Sequence, residues 1–350
     1  MLVLHSGRTA ARVRRIGAAA LTALGLAFLL TPTQAQAAEP TCQDLRFPVT
    51  LVGTAQTMAG TLCVPAGART VQVLVPGGFY NSAYWDIAVD PALHSFRRAM
   101  NNAGYATLTV DRLGTGRSTL PPSVLLSAIT QADAVHQVVQ ALRAGTRSQS
   151  FAKVFLGGHS LGSAISIIEA ATYRDVDGVL VTSMGHHLNL LGLAPIAATF
   201  VPALLDPAFT GRVLDPGYLT TMSGTRWNSL HRPGPYDAAI DRFDEITKDV
   251  AAPTELVDAA LLGTLTPYTR QVGVPVLTVM SSQDPTFCGL LATDCSSSAT
   301  FLAAERSFYG PAARLQAYVL PNYGHSLNYA PNAPDLHKVV TAWADRMVGR

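Results

Sequence analysis

Short apolar runs alternate with longer segments of helical periodicity along most of the chain after residue 69. The short runs are rich in β-branched residues, which is typical of strands buried on both faces of a sheet. Because strand-like and helix-like segments follow one another in turn, the pattern predicts an α/β fold of right-handed βαβ units. We expect a mostly parallel central sheet with helices on both faces. The predicted strands are Thr70–Val75, Ala106–Val110, Lys153–Leu156, Gly178–Thr182, Val274–Met280 and Leu315–Leu320.

Five segments between and after these strands place apolar residues on one helical face. In the first two, Leu93 and Ile129 are among the residues expected to face the core. Before the first strand, two alternating stretches within Phe47–Val64 predict an N-terminal antiparallel hairpin. The predicted helices are Asp90–Gly104, Ala128–Leu142, Ser163–Tyr173, Thr300–Tyr309 and Pro334–Val348.

The alternation is interrupted by an insertion, Gly185–Pro267. It opens with a dense apolar patch, Leu188–Phe209, that is broken by prolines. Most side chains of this patch are expected in the core and the others on the wall of a pocket. For His186 and His187, at the start of the insertion, a hinge or pocket-wall role is favoured over a metal-binding or catalytic role. The helices predicted further along are Tyr236–Thr247 and Thr254–Leu262.

The N-terminal residues 1–37 have the three parts of a secretory signal peptide. A basic start with Arg14 and Arg15 precedes the apolar run Ile16–Leu30, and Ala35-Gln36-Ala37 is a small-x-small cleavage site. The run is shorter than the roughly 20 residues of a spanning helix, which argues against a membrane anchor. The arginine pair raises twin-arginine export, but its neighbours fit that signal poorly. We therefore expect a secreted protein with one domain over residues 38–350.

The charge of the chain argues against two classes of binding partner. The net charge of +2 belongs partly to the leader, and no basic block remains, which argues against nucleic acid and stable membrane binding. The oligomeric state stays open.

Three pairings of the four cysteines are possible, and sequence proximity favours Cys42–Cys63 and Cys288–Cys295. A metal site is the alternative, but no C-x-x-C and no paired histidine spacing supports it, so we expect no metal.

The strand that ends near Leu156 leads into Gly158-His159-Ser160-Leu161-Gly162, which has the form G-x-S-x-G. Glycines two residues before and after the serine allow a sharp turn between strand and helix, which holds a nucleophilic hydroxyl clear of the sheet. Such a serine needs a base, and the base needs an acid that fixes its tautomer. The neighbouring His159 is expected to point away from Ser160 and to have no role as the base.

Two later strand ends supply the base and the acid. Asp284 and His325 each follow a predicted strand, and His325 lies in a turn that contains glycine. The order Ser160, Asp284, His325 and the location at carboxyl ends of strands favour a catalytic triad. Asp294 and Asp258 are reserve candidates for the acid.

A further glycine-containing turn, Pro76-Gly77-Gly78-Phe79, follows the strand Thr70–Val75. Glycines let backbone N–H groups face a ligand directly, which is what a tetrahedral oxyanion requires. The expected oxyanion donors are the N–H of Leu161 and one from Gly78 or Phe79.

Together these motifs resemble those of α/β-hydrolase-fold enzymes, over nearly all of the mature chain. The resemblance rests on the Ser160 turn, the Pro76–Phe79 loop and the turn Asp111–Ser118. In the family this loop often begins with His-Gly, and Pro76 stands where that histidine would be, so the exact donor stays open. The resemblance implies a secreted serine esterase or lipase of bacterial type, with a helical cap at about 185–267 over the nucleophile.

The function expected from this resemblance is hydrolysis of small apolar esters through an acyl-enzyme, without a cofactor. One alternative is a proline-iminopeptidase-like aminopeptidase, in which Asp241, Asp244 or Glu245 would anchor the substrate amine. The other is a non-catalytic binding protein of the same fold, against which a complete triad argues. An apolar pocket wall predicts a preference for acyl groups longer than acetyl.

Overall fold

The computed structural model describes residues 39–265 and 268–350, so the predicted signal peptide lies outside the described residues. In the described part, eight strands form one sheet and two short strands form another. The strands are β1 (Thr41–Leu51), β2 (Thr54–Val64), β3 (Thr70–Val75), β4 (Ala106–Val110), β5 (Lys153–His159), β6 (Val179–Thr182), β7 (Phe200–Pro202), β8 (Leu219–Thr221), β9 (Val276–Ser281) and β10 (Gln316–Leu320).

The large sheet has the strand order β1-β2-β4-β3-β5-β6-β9-β10. The pairs β1–β2 and β2–β4 are antiparallel, and the other neighbouring pairs are parallel. The predicted mostly parallel sheet is therefore confirmed. Because β3, β5, β9 and β10 run in the same direction, the turns that follow them meet at one edge of the sheet.

Helices connect the strands, and among those described none is long and apolar enough to cross a membrane. They are α1 (Pro91–His94), α2 (Phe96–Asn102), α3 (Ala128–Ala144), α4 (Leu161–Tyr173), α5 (Leu190–Ala197), α6 (Ala238–Ile246), α7 (Pro253–Leu261), α8 (Tyr268–Gln271), α9 (Ser298–Glu305) and α10 (Ala333–Met347).

The sheet has helices on both faces, as predicted, and therefore two hydrophobic cores. In β5, Val154 and Leu156 enter one core with α3 and α4, whereas Phe155 enters the other with α2 and α10. This division follows from the side-chain period of two in a strand. Since both faces are covered, β5 is buried along almost its whole length and holds the turn at its end in a fixed position.

The helix predicted over residues 90–104 is divided in two by Ser95. This residue has an extended backbone, and its hydroxyl accepts a hydrogen bond from Arg98 N at the start of α2. The division turns His94 inward and leaves Leu93 40% exposed. The prediction that Leu93 faces the core is therefore wrong, because helical periodicity does not continue through residue 95.

Ile129 is also exposed, by 48%, although the periodicity of α3 predicts it inward. The buried stripe of α3 runs through Ala128, Ala132 and Val135 instead. Successive residues are about 100° apart around a helix, so burial of Ala128 directs Ile129 away from the core. The small alanines of this stripe let α3 pack closely on α4, with Ile129 outside the contact.

The N-terminal hairpin is longer than the stretch Phe47–Val64 predicts, with 11 residues in each strand. The first half of β1 is mostly exposed, so it lacks the apolar alternation on which the prediction rests. Cys42 lies opposite Cys63 and is joined to it by a disulfide. β1 is the outermost strand of the sheet and contains Pro48.

Short helices and the β7–β8 sheet make up most of the segment between β6 and β9. Its two predicted helices correspond to α6 and α7. The prediction that most of the apolar patch lies in the core is wrong, because only Ile196 and Phe209 of its large side chains are buried. Four leucines of the patch are at least half exposed: Leu190, Leu191, Leu204 and Leu205.

Candidate active site

Ser160 lies in a strained turn between β5 and α4. Its φ of 51° and ψ of −118° fall in a region that residues other than glycine rarely adopt. Ser160 is the first flanking residue of α4, yet its side chain makes no capping hydrogen bond. The helix therefore leaves the hydroxyl unengaged, as expected for a nucleophile at a strand-to-helix turn.

Close backbone contacts explain the two glycines of the G-x-S-x-G motif. A Cβ on Gly158 would lie 2.3 Å from the carbonyl oxygen of Gly162, and a Cβ on Gly162 would lie 2.2 Å from that of Val75. Either substitution would push α4 away from the ends of β3 and β5. The glycines thus keep Ser160 in place at the centre of the sheet edge.

His325 and Asp284 lie in the turns after β10 and β9 and are hydrogen-bonded to each other. The distance from His325 Nδ1 to Asp284 Oδ2 is 2.8 Å, and Asp284 Oδ1 accepts a hydrogen bond from Thr286 N at 2.8 Å. Asp284 is fully buried, and the carbonyl oxygen of His325 accepts a bond from Ser183 Oγ at 2.6 Å. Since the carboxylate engages Nδ1, Nε2 is the nitrogen left for chemistry.

The two reserve acids have other partners. Asp294 accepts a hydrogen bond from Ser296 N in an exposed loop, and Asp258 accepts one from Ala128 N. Of the three acids considered from the sequence, the structure brings Asp284 to His325.

His159 packs among aromatic side chains, and its ring centroid lies 5.1 Å from that of His325. Its ring stacks on Tyr84 with centroids 4.1 Å apart, and its Nδ1 lies 3.1 Å from the Tyr84 hydroxyl. Burial lowers the pKa of His159 well below its usual value, and the nearby His325 lowers it further. Both effects favour the neutral form of the ring, which is buried against Tyr84.

A disulfide closes the loop that follows Asp284. Cys288 is bonded to Cys295, and Cys288 N donates a hydrogen bond to the carbonyl oxygen of Asp284 at 2.9 Å. With the hairpin disulfide, all four cysteines are paired as sequence proximity favours. The cross-link restricts the turn that carries Asp284.

The three residues whose N–H groups are candidates for binding an oxyanion line one pocket. Gly78, Phe79 and Leu161 line the same pocket as Ser160 and His325. Phe79 has a φ of 64°, and Leu161 is the first residue of α4. Among the described residues, none accepts a hydrogen bond from these three N–H groups. They are thus free to bind a developing negative charge.

The pocket at Ser160 has a volume of about 200 Å³ and is mostly apolar, with no Asp or Glu among the described residues that line it. Helix α7 supplies Leu256 and Ala259 to its wall, which sequence analysis missed although their spacing of three residues indicated a common helical face. Five residues of the predicted apolar patch also line it: Leu188, Leu193, Ile196, Ala197 and Phe200.

Neither His186 nor His187 lines this pocket, so a pocket-wall role is wrong for both. His186 is buried, with Nδ1 2.6 Å from Glu305 Oε2 and Nε2 3.1 Å from Thr269 Oγ1. Its ring stacks on Phe308 with centroids 4.1 Å apart. His186 therefore links the segment after β6 to α8 and to the end of α9 through these contacts.

A buried charge network lies behind the site, and no sequence motif marks it. Arg226 donates two hydrogen bonds to Asp244, at 2.9 and 2.7 Å, and His231 Nε2 lies 2.8 Å from the same carboxylate. All three residues are fully buried. Burial alone would raise the pKa of Asp244, but the charge of Arg226 and the bond from His231 together lower it below its usual range.

This network reaches two turns of the site. The Arg226 guanidinium lies 4.4 Å from the centre of the Tyr80 ring, and its Nη1 donates a hydrogen bond to Phe79 O at 3.4 Å. On the other side, His231 Nδ1 lies 2.9 Å from the Tyr323 hydroxyl, two residues before His325. The network therefore positions the loop of Phe79 relative to the loop of His325.

Replacing Asp244 by asparagine is expected to lower the free energy of unfolding at pH 7 by about 3–5 kcal/mol, because Arg226 would stay buried without its counter-charge. Urea denaturation measures this loss. Because folding lowers the pKa of Asp244, its contribution is present above the unfolded value near 3.8 and disappears as pH falls toward the folded value. The difference between variant and wild type should therefore shrink in acid.

Asp241→Asn is the matched control on the same helix. Asp241 accepts a hydrogen bond from Tyr236 Oη at 3.1 Å near the surface. Its replacement should change the free energy of unfolding by about 0.5 kcal/mol or less. Equal losses in the two variants would contradict the assignment of stability to the buried network.

A family comparison agrees with this fold and geometry. The sequence model of the alpha/beta hydrolase family matches residues 72–334, from β3 to the start of α10. The chain belongs to the alpha/beta hydrolase family. The resemblance seen in its sequence is thereby confirmed. A comparison with curated protein sequences finds no significant match.

Solved structures similar to this hydrolase include several esterases. An esterase from Thermogutta terrifontis has a TM-score of 0.58 at 16% identity, covering 87% of this chain and 98% of its own. Carboxylesterase CesB from Bacillus subtilis has a TM-score of 0.57 at 16% identity, covering 86% and 91%. Naproxen esterase from the same organism has a TM-score of 0.60 at 14% identity, covering 87% and 92%. At these identities the likeness shows the fold.

Proposed function

We propose that this alpha/beta hydrolase is a secreted serine esterase that cleaves small esters with apolar acyl groups. The observation that carries the proposal is the convergence on one apolar pocket of a strained serine turn, a His–Asp pair and unengaged N–H donors. The segment 185–267 acts as a cap, since it supplies much of the pocket wall. Export follows from the leader predicted at residues 1–37.

In this mechanism Ser160 Oγ attacks the acyl carbon while His325 Nε2 takes its proton. The carbonyl electron pair moves to the oxygen, where the N–H of Leu161 and that of Gly78 or Phe79 stabilise the negative charge. Collapse breaks the ester C–O bond, and His325 gives its proton to the leaving alcohol. A water molecule then attacks the acyl-enzyme in the same way, with His325 as the base, and releases the carboxylic acid and free Ser160. Asp284 holds the Nδ1 proton and stabilises the imidazolium.

The surroundings of three acidic residues do not favour the aminopeptidase alternative. Asp244 is paired with Arg226, and Glu245 pairs with Lys248. Neither of them lines the pocket, nor does Asp241. A free substrate amine would therefore find no carboxylate at the described pocket wall, and burying its charge there without a partner is costly.

Acyl-chain length tests the proposed substrate class. The value of kcat/KM should rise about fourfold with each methylene from acetyl to butyryl p-nitrophenyl esters, because each buried methylene contributes about 0.8 kcal/mol until the pocket is full. Prolyl and leucyl p-nitroanilides should be poor substrates. Initial rates over this panel give the comparison. Preference for acetyl, or faster cleavage of an anilide than of any ester, would favour the aminopeptidase instead.

Two leucine variants provide the control. Leu193 lines the pocket, whereas Leu191 is 74% exposed two residues earlier. Leu193→Ser should flatten the dependence of kcat/KM on chain length, because a serine in the pocket wall makes less apolar contact with the acyl chain. Leu191→Ser should leave that dependence unchanged. If kcat/KM rises with acyl-chain length equally steeply in both variants, the pocket wall at Leu193 does not contact the acyl group.

A further inference from the structure

A second group of chemically reactive side chains lies outside the esterase pocket, where α3 packs on α4. His136 belongs to α3, Glu169 to α4, and Asp175 follows the end of α4. His136 Nδ1 lies 2.9 Å from Asp175 Oδ2 and 3.9 Å from Glu169 Oε1. One potential ligand atom from each residue lies within 4.8 Å of the other two. None of the three residues lines the pocket at Ser160.

Glu169 is the unusual member of this group. Its side chain is fully buried, and neither carboxylate oxygen has a hydrogen-bond partner among the described residues. The nearby Arg143 is directed elsewhere, because its guanidinium pairs with Asp177 and donates to the backbone carbonyl of Asp175. A buried carboxylate without a partner is costly, so its two oxygens call for either a bound cation or a proton.

We propose that His136, Glu169 and Asp175 bind a divalent transition-metal ion, with Zn²⁺ as the preferred ion. One imidazole nitrogen and two carboxylate oxygens form a ligand set that zinc accepts at distances of about 2.0–2.2 Å. The two negative charges would balance the ion. Mg²⁺ and Ca²⁺ prefer oxygen ligands alone and should bind more weakly.

Neighbouring groups hold two of these ligands in place. The His136 ring stacks on Tyr173 with centroids 3.8 Å apart and planes 11° apart. The backbone carbonyl of Asp175 accepts a hydrogen bond from Arg143 Nε at 2.8 Å. Such outer contacts orient metal ligands and raise affinity. Because His136 and Asp175 are partly exposed, an ion can reach the group from solvent.

The position between two helices points to a structural role for the ion. A metal bound by residues of α3, α4 and the turn after α4 would tie these elements together and stabilise the folded state. The competing occupant is a proton. Burial, with a contribution from Asp175, raises the pKa of Glu169 to about 10, which favours a proton on this carboxyl.

Zinc titration of the full-length protein distinguishes a bound zinc ion from a proton on Glu169. After treatment with EDTA and its removal, ZnCl₂ is added in a calorimeter, and Tm is followed by circular dichroism with and without zinc. We expect one ion per chain and a rise in Tm. Glu169→Gln and His136→Ala should each raise the Kd for zinc about tenfold or more and abolish the rise in Tm. His136 is partly exposed, so its variant remains informative if Glu169→Gln does not fold.

His187→Ala is the control for adventitious binding, because His187 is an exposed histidine away from the group. It should bind zinc as the wild type does. Absence of saturable binding would overturn the proposal, as would equal zinc affinity in wild type, Glu169→Gln and His136→Ala. A Tm that zinc does not change, but that Glu169→Gln raises, would assign the group to the proton. These readouts do not depend on esterase activity.

Discussion

Ser160→Ala should lower kcat/KM for p-nitrophenyl butyrate by about 10⁴-fold or more, because nucleophile and base act as a unit. Alanine keeps the Cβ of serine, so the turn with φ of 51° should persist. The rate is measured with purified protein, and circular dichroism checks the fold. Loss of the hydroxyl alone would then account for the loss of activity.

Ser166→Ala, six residues further along the chain in α4, is the matched control. Its hydroxyl donates a hydrogen bond to the carbonyl oxygen of Gly162 at 2.8 Å within the helix. This variant should retain a rate close to that of the wild type. A folded Ser160→Ala protein with wild-type rates would refute the proposed nucleophile and with it the proposed mechanism.

Asp284→Asn should lower kcat by about 10⁴-fold with little change in KM. An amide in place of the carboxylate can donate to His325 Nδ1, which favours the wrong tautomer and removes the charge that stabilises the imidazolium. The 2.8 Å contact between the two side chains makes this effect direct. Steady-state kinetics with p-nitrophenyl butyrate would measure it.

Asp294→Asn provides the comparison, because Asp294 lies beyond Cys288 in the same region and bonds Ser296 N rather than a histidine. It should leave kcat unchanged. A larger loss in Asp294→Asn than in Asp284→Asn would move the role of the acid to Asp294 and contradict the geometry proposed here.

Residues at strand ends could be predicted from the sequence because short-range patterns mark them. Ser160, Asp284 and His325 each follow an apolar strand, and a parallel sheet brings such ends together. The same local patterns predicted the order in which strands and helices follow one another along the chain. They failed where a polar group interrupts the periodicity, as at Ser95, and where packing against a neighbour selects small residues over Ile129.

Interactions between distant segments could not be predicted in this way. Arg226 and Asp244 have no motif around them, and their pairing is apparent only once α6 is folded behind the site. Glu169 occupies an unremarkable position in an apolar helix, so its burial without a partner depends on the packing of α3 and α4. Composition likewise could not show which leucines of the segment 185–267 remain exposed.

The outer strand β1 has a consequence for self-association. A free strand edge offers N–H and C=O groups to which another molecule can add a strand. Pro48 has no N–H to donate, and Asp44 and Arg46 place opposite charges along the exposed part of the same strand. Charges and proline on an edge hinder continuous pairing. At high concentration the hairpin should therefore protect this side of the sheet from edge-to-edge aggregation.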